Sequence, residues 1–148
     1  MITIEPVSFE DKNTVIDLLK NAALPTQNLP EGLPDFVIAK EGENATGIAG
    51  LESFGLSGLL RSVAVDPAYQ GKGGAAKLVQ TLLAQANSKR LEEIYLITTT
   101  ADHYFDRFDF KAVDRDLVPG EIQKTQQFSG LCPSSAVVMK HVLKRIDQ

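Results

Sequence analysis

The stretch Tyr69–Leu78, with the sequence YQGKGGAAKL, places three glycines within four positions, directly after an apolar run and directly before a helical pattern. Glycine at such a point lets a backbone come close to a ligand, and the free N–H groups at the start of a helix favour an anion. The predicted chemistry is therefore binding of a phosphate-bearing cofactor: a dinucleotide, a nucleoside triphosphate or another one. The alternative is a loop that only begins a helix, because short glycine patterns also occur by chance.

Two common phosphate-binding patterns fit this stretch only in part. GKGGAA satisfies G-x-G-x-x-A, but the dinucleotide fingerprint needs its first glycine directly after a strand and an acidic residue at the end of the next strand. Here DPAYQ separates the strand from Gly71, and Glu92 and Glu93 precede the next predicted strand. A nucleoside triphosphate loop needs Ser or Thr after its lysine, whereas Lys72 is followed by Gly73. We therefore set both interpretations aside.

The composition limits the remaining classes of function. The chain has 148 residues, of which 43% are hydrophobic and 23% charged, and this predicts one globular domain over residues 1–148. A formal net charge of −4 argues against a general nucleic-acid binder, and no apolar run has the length of a membrane span. The absence of a signal-peptide pattern and the single Cys132 are typical of a cytoplasmic protein. Two separated histidines and one cysteine predict no metal site. The sequence leaves homodimer formation open.

Hydrophobic periodicity predicts the elements that position the glycine stretch. In chain order they are β-α-β-β-β-α-β-α-β-α-β, with a proline-containing loop after the first helix. The strand GLLRSVAV ends at Asp66-Pro67 before the glycines, and an amphipathic helix with Leu78 and Leu82 on one face follows them. This order predicts an α/β fold whose mixed sheet is antiparallel in its N-terminal part and has a parallel crossover near the glycines.

A third interpretation of the glycine stretch fits these surroundings. Residues Gln70–Ala75 follow the pattern Gln/Arg-x-x-Gly-x-Gly/Ala, between a strand that ends VAVDP and an amphipathic helix. Here the sequence resembles the GNAT superfamily of N-acetyltransferases, which use acetyl-CoA. The resemblance extends over nearly the whole chain, and the combination of LLRSVAV, LITTTADHYFDRFDF and LCPSSAVVM is most similar to the small N-acetyltransferases of bacterial arsenic-resistance operons. It also resembles N-acetylglutamate-synthase domains. The implied GNAT fold is a mixed sheet of roughly six to seven strands with a parallel splayed pair, flanked by about four helices.

The resemblance also implies how acetyl-CoA is held. The N–H groups of the glycine turn and of the first helical turn face the pyrophosphate, whose charge the helix dipole favours. The preceding strand pairs through its backbone with the pantetheine arm, and the N–H of Val63 stabilises the oxyanion that forms on the thioester. The implied cofactor-binding residues are Val63, Ala64, Val65, Gln70, Gly71, Lys72, Gly73, Gly74, Ala75 and Thr99.

Glu52 and Arg61 are the charged residues that we interpret as contacts of the acceptor. A free alkylammonium has a pKa of about 10, so it must lose a proton before it attacks. Leu59–Val65 contains no carboxylate, and Glu52 is the candidate that takes this proton or pairs with the ammonium; the alternative is a solvated strand-end residue. We interpret Arg61 as a bidentate ligand of a substrate carboxylate; the alternative is a structural ion pair with an internal acid. Thr98 is a further candidate for substrate binding, with β-propensity as its alternative.

The proton donor for the leaving thiolate departs from the superfamily pattern. That pattern is Tyr-x-x-x-Gly-Phe, and this chain has Phe105 at the tyrosine position and Asp109 at the glycine position. Asp tolerates the left-handed conformation that a helix end needs, so the turn is expected to survive. Tyr104, one residue away, is the candidate substitute acid; the alternatives are that water protonates the thiolate or that the amine's proton reaches it by another route.

These residues predict an enzyme that transfers acetyl directly from acetyl-CoA to the amine of a small molecule. The acceptor is expected to be an amino acid or an amino-acid analogue. The arsenic-operon resemblance adds organoarsenical and phosphinate amino acids to the expected acceptors. Two alternatives remain open: a peptide or protein N-acetyltransferase, and an acetyl-CoA-binding module that senses or regulates.

Overall fold

The computed structural model describes residues 2–22, 35–71, 73–98, 102–125 and 136–143. The strands and helices follow one another in the predicted order. They are β1 (Ile2–Pro6), α1 (Lys12–Asn21), β2 (Phe36–Glu41), β3 (Asn44–Phe54), β4 (Ser57–Val65), α2 (Gly74–Ser88), β5 (Glu93–Thr98), α3 (Asp102–Phe105), β6 (Lys111–Val113), α4 (Gly120–Gln123) and β7 (Val137–Val142).

The strands form a seven-stranded mixed sheet in the order β1-β2-β3-β4-β5-β7-β6. β1 and β3 pair antiparallel with β2, and β5 and β6 pair antiparallel with β7. β4 and β5 are parallel, with pairs from Ser57–Glu93 to Leu59–Tyr95, and β4 continues beyond these pairs to Val65. A parallel pair needs a crossover connection, which α2 supplies. The predicted α/β fold class is therefore confirmed.

The chain divides into two compact units, of which the first contains Met1–Glu52 and Leu60–Gln85. Helix α1 is preceded by a short 3-10 turn in which the backbone N–H of Ser8 donates to Asp11 at 2.9 Å. Helix α2 buries Leu78 and Leu82, as its amphipathic pattern predicts. The core of this unit joins α1 to three strands through Val15, Leu18, Leu19, Phe36, Ile38, Ile48 and Ala64.

The second unit contains Ser53–Leu59 and Ala86–Gln148. Its core consists of Leu59, Tyr95, Val118, Ile122 and Val138. Helix α3 is one turn long and continues as a 3-10 turn that ends at Asp109, whose φ of 64° is the left-handed conformation expected there. The prediction of one domain over residues 1–148 stays a prediction.

Helix α4 is only about one turn long. It spans Gly120–Gln123, with Pro119 directly before it, and residues 126–128 lie outside the described part of the chain. In the described ranges, no helix has both the length and the apolar character that a membrane crossing needs.

Candidate active site

The loop between β4 and α2 is folded by local hydrogen bonds. β4 ends at Val65, and the Asp66 carboxylate accepts the N–H of Ala68 at 2.9 Å, which caps the 3-10 turn Pro67–Tyr69. The side-chain amide of Gln70 donates to the Val65 carbonyl at 3.3 Å. These contacts close the loop against the end of its own strand and fix where the glycines begin.

Gly71 and Gly73 adopt the backbone conformation for which glycine is suited. Both have φ of +83°, and a Cβ built on either one meets no atom within 4 Å. Glycine is therefore needed for the backbone conformation, and the space above the loop is open to a ligand. The sequence prediction that a ligand approaches this backbone is consistent with that open space.

Helix α2 presents its first N–H groups directly after this loop. Its first helical hydrogen bond runs from Lys77 N–H to the Gly73 carbonyl at 3.1 Å, so the N–H groups of Gly74, Ala75 and Ala76 precede the helical ladder. The helix has 15 residues, and its dipole favours an anion at this end. The residues of the loop therefore fit a pyrophosphate. Lys77 itself donates from Nζ to the carbonyl of Ile2 at 3.4 Å.

The strand before the loop contains an irregularity at Ser62. Its φ of +60° is left-handed, in a strand where extended backbone was expected. Side chains therefore do not alternate regularly through this point of the strand. Beyond Ser62, Val63 and Val65 are half-buried, whereas Ala64 is buried in the core of the first unit.

Arg61 and Glu52 form an ion pair within the first unit. The Arg61 Nη1 donates to Glu52 Oε1, and the Arg61 Nε donates to the hydroxyl of Ser62 at 3.3 Å. The Arg61 side chain is only 3% exposed, whereas that of Glu52 is 23% exposed. A buried guanidinium is costly unless it is paired, and this contact supplies an acid. The geometry thus brings together two residues that the sequence analysis treated separately, and it favours the ion-pair alternative for Arg61.

The comparison with known protein families decides the family. Residues 8–110 match the Acetyltransferase (GNAT) family. The protein belongs to the GNAT acetyltransferase family. This match confirms the predicted resemblance, the predicted N-acetyltransferase class and the predicted use of acetyl-CoA.

Solved structures with the same fold include proteins of two bacteria. The N-acetylglutamate synthase of Neisseria gonorrhoeae, complexed with coenzyme A and N-acetyl-glutamate, has a TM-score of 0.84 at 19% identity, covering 98% of this chain and 36% of that one. Rv2747 of Mycobacterium tuberculosis, in complex with CoA and NLQ, has a TM-score of 0.83 at 21% identity, covering 96% of this chain and 99% of that one. At these identities the likeness establishes the fold.

Curated relatives match a shorter part of this GNAT protein. The amino-acid acetyltransferase of Edwardsiella ictaluri is 33% identical over 66 residues, which are 45% of this chain and 15% of that protein. The amino-acid acetyltransferase of Escherichia coli strain K12 is 34% identical over 62 residues, which are 42% of this chain and 14% of that protein. Because the matches span about one seventh of these relatives, the relatives' activity bears on this chain only as a proposal.

Tyr104, the predicted proton donor, lies in the second unit of this GNAT protein within an aromatic cluster. Its ring meets Phe105 and Phe108 edge-on, with centroids 5.3 Å and 5.6 Å away, and the Arg107 guanidinium lies 4.4 Å from its centroid. Burial raises the pKa of the Tyr104 phenol, and the charge of Arg107 offsets part of that rise. The phenol is therefore protonated at neutral pH. Phe105, at the superfamily's tyrosine position, is buried.

Three predicted site residues remain, of which the structure describes only Thr98. Thr98 is the last residue of β5, is half-buried and pairs with Val137 of β7. Lys72 and Thr99 lie outside the described residues. Sequence reasoning missed Ser62, because serine in an apolar strand gives no signal of a left-handed conformation.

Proposed function

We propose that the protein transfers an acetyl group from acetyl-CoA directly to the amine of a small molecule, an amino acid or an amino-acid analogue. The observation that carries this proposal is the half-exposed carboxylate of Glu52, held by Arg61 in the strand that leads into the glycine loop. The similarity to amino-acid acetyltransferases supports an amino-acid acceptor. The resemblance to the N-acetyltransferases of arsenic-resistance operons adds organoarsenical and phosphinate amino acids to the acceptors that need testing.

In this proposal the backbone of the loop binds the cofactor pyrophosphate. Gly71 and Gly73 leave the space open, and the first N–H groups of α2 supply donors and the positive end of a dipole. Gln70 holds the loop against Val65. Lys72 and Thr99 keep their predicted roles in cofactor binding. The bound acetyl-CoA supplies the acetyl group as an activated thioester.

Residues of the first unit act on the reacting groups. The backbone of Val63–Val65 pairs with the pantetheine arm, and the N–H of Val63 donates to the oxyanion. Glu52 accepts a proton from the acceptor ammonium, which leaves a neutral amine able to attack the thioester carbonyl. The N–C bond of the amide then forms, and the C–S bond breaks. In net terms the acceptor ammonium loses two protons, the leaving sulfur gains one and one is released.

Tyr104 and Thr98 keep the roles predicted for them from the sequence. Tyr104 gives the proton to the leaving sulfur, which its raised pKa permits because the phenol stays protonated at neutral pH. Tyr104 is then reprotonated from water, and the second proton of the attacking nitrogen is released to water. Thr98 contributes a hydroxyl to substrate binding. The cytoplasmic location also stays a prediction, and homodimer formation stays open.

Thermal unfolding with and without acetyl-CoA tests the cofactor part of the proposal. We expect saturating acetyl-CoA to raise the Tm of the wild-type protein by mass action. Gly73→Ala is expected to remove most of that rise, because it adds a Cβ at a φ of +83° beside the pyrophosphate. Gly42→Ala is the matched control: its φ is +64°, its Cβ also meets nothing within 4 Å, and it lies in the β2–β3 turn. An unchanged wild-type Tm overturns the proposal.

Thiol release across a panel of amines tests the acceptor part. The panel contains glutamate, other amino acids, phosphinate and arsinic amino acids, and a peptide with a free N-terminus. We expect turnover with a small amino acid or analogue. Turnover with the peptide alone identifies a peptide acetyltransferase instead. A Tm rise with acetyl-CoA and no turnover identifies a binding module that regulates.

A further inference from the structure

The two members of the Arg61–Glu52 pair are unequally exposed, and this indicates which one meets the substrate. The Arg61 side chain is 3% exposed and that of Glu52 is 23% exposed. A group that binds a solute must be reachable by it, and within this pair the carboxylate is the reachable member. We propose that Arg61 is a positioning residue that holds the Glu52 carboxylate toward the acceptor ammonium, rather than a ligand of a substrate carboxylate. This inference rests on the proposed function.

Two hydrogen bonds hold the guanidinium of Arg61 in one orientation. Its Nη1 is directed at Glu52 Oε1 and its Nε at the hydroxyl of Ser62, so two edges of the planar guanidinium are held by this chain. A guanidinium held at two edges cannot rotate without losing one contact, which makes it a rigid support. A carboxylate accepts hydrogen bonds at both oxygens, so Glu52 can contact Arg61 at one oxygen and an ammonium at the other.

The backbone at Ser62 supports the same role. Ser62 has φ of +60°, and a non-glycine residue in that conformation persists only where its surroundings hold it. Its hydroxyl accepts the Arg61 Nε–H, so the strained residue is also the second support of the guanidinium. Strain of this kind is found preferentially at functional sites. The position of the carboxylate is thus determined by a chain of contacts from Ser62 through Arg61 to Glu52.

Acceptors with and without a carboxylate distinguish the two roles of Arg61. In Arg61→Lys the charge remains but the planar fork is lost, so Glu52 is paired but poorly oriented. We expect kcat to fall about 10- to 100-fold, because misplacement by about 1 Å costs that much. The fall is expected to be the same for an amino acid acceptor and for its carboxamide, while the KM for acetyl-CoA stays within about twofold. A penalty confined to the acceptor with the carboxylate makes Arg61 a substrate ligand and overturns the inference.

Ser62→Ala tests the arrangement without touching either charge. It removes only the hydroxyl that accepts the Arg61 Nε–H, and we expect a smaller fall in kcat, about 3- to 10-fold, with no change in the KM for acetyl-CoA. Ser57→Ala, at the start of the same strand, is the matched control and should match the wild type. Wild-type kcat in both Arg61→Lys and Ser62→Ala makes the pair purely structural and overturns the inference alone. Absence of wild-type turnover overturns the proposed function, and the inference with it.

Discussion

The Arg61–Glu52 pair of the first unit and the Lys140–Glu93 pair of the second both join strand residues, and they differ in how deeply the cation lies. In the first unit, Arg61 is 3% exposed and its partner Glu52 is 23% exposed. In the second unit, the Lys140 Nζ of β7 lies 2.7 Å from the Glu93 Oε2 of β5, and the two side chains are almost equally exposed, at 29% and 30%. Tyr95 donates its hydroxyl to the same Glu93 at 3.2 Å.

Because the cation is buried in one pair and half-exposed in the other, we expect the two pairs to contribute differently to stability. A half-exposed lysine–glutamate pair adds little to stability, because water already solvates both charges. A buried guanidinium depends on its partner, because losing the partner leaves a poorly solvated charge. The first pair is therefore costly to disturb, and we expect a costly arrangement in the strand that leads to the glycine loop to serve the reaction.

The largest expected effect comes from removing each glutamate in turn. Glu52→Ala takes the carboxylate from a guanidinium that is 3% exposed, and we expect the free energy of unfolding to fall by about 3 kcal/mol. Glu93→Ala is the matched variant, and we expect a loss of about 1 kcal/mol or less. Urea unfolding at pH 7 measures both. Equal losses would show that the burial of Arg61 does not make its pair more important for stability than the Lys140–Glu93 pair.

A smaller effect is expected from the backbone beside the first pair. Ser62→Val places a β-branched side chain at φ of +60°, and we expect a loss of about 1–2 kcal/mol in the free energy of unfolding. Ser62→Gly relieves the backbone but removes the acceptor of Arg61 Nε–H, so its net effect is expected within about 1 kcal/mol. Equal free energies of unfolding for Ser62→Val and Ser62→Gly would show that residue 62 does not adopt the left-handed conformation.

The smallest effect concerns the second pair in alkaline solution. The hydrogen bond to Glu93 raises the pKa of Lys140 above its ordinary 10.5, although burial opposes this. Its contribution is therefore fully present below pH 10.5 and is lost as the pH rises through the folded pKa. Burial also raises the pKa of Tyr95 above its ordinary 10.0, so the unfolded chain ionises first and stability falls in the same direction.

Lys140→Met tests this pH dependence. We expect it to be less stable than the wild type by about 1 kcal/mol or less at pH 8, with the difference shrinking above pH 10.5 as the wild-type lysine loses its charge. Unfolding free energies measured at pH 8 and above pH 11 give the two values. A difference that grows with pH would show that the pair does not act through the lysine charge.

The parts of the fold that the sequence predicted are those encoded by local patterns. The element order follows from periodicity, and the end of β4 at Asp66-Pro67 follows from the chemistry of proline. The glycine loop was predictable for the same reason, since Gly71 and Gly73 are the residues that a positive φ selects. Asp109 was placed in the left-handed conformation because an aspartate tolerates it.

The acceptor side was less predictable because it depends on contacts between strands. Arg61 and Glu52 were each identified, but they are nine positions apart, and their contact exists only once β3 and β4 have formed. Ser62 gave no signal, since its conformation is imposed by its surroundings and serine has no preference for it. The direction in which a charge faces is thus a tertiary property, and it changed the interpretation of Arg61 from substrate ligand to support.

In the proposed function, the Glu52 carboxylate acts on the acceptor amine. The most direct measurement is kcat/KM for the amine in Glu52→Gln, with Glu93→Gln as the matched control. Glutamine keeps an oxygen that accepts the Arg61 hydrogen bond but cannot take up a proton, so we expect a loss of about 100-fold or more, with the Tm rise produced by acetyl-CoA retained. Glu93→Gln is expected to stay within about twofold of the wild type. A Glu52→Gln enzyme as active as Glu93→Gln would show that the Glu52 carboxylate does not take up the proton of the acceptor.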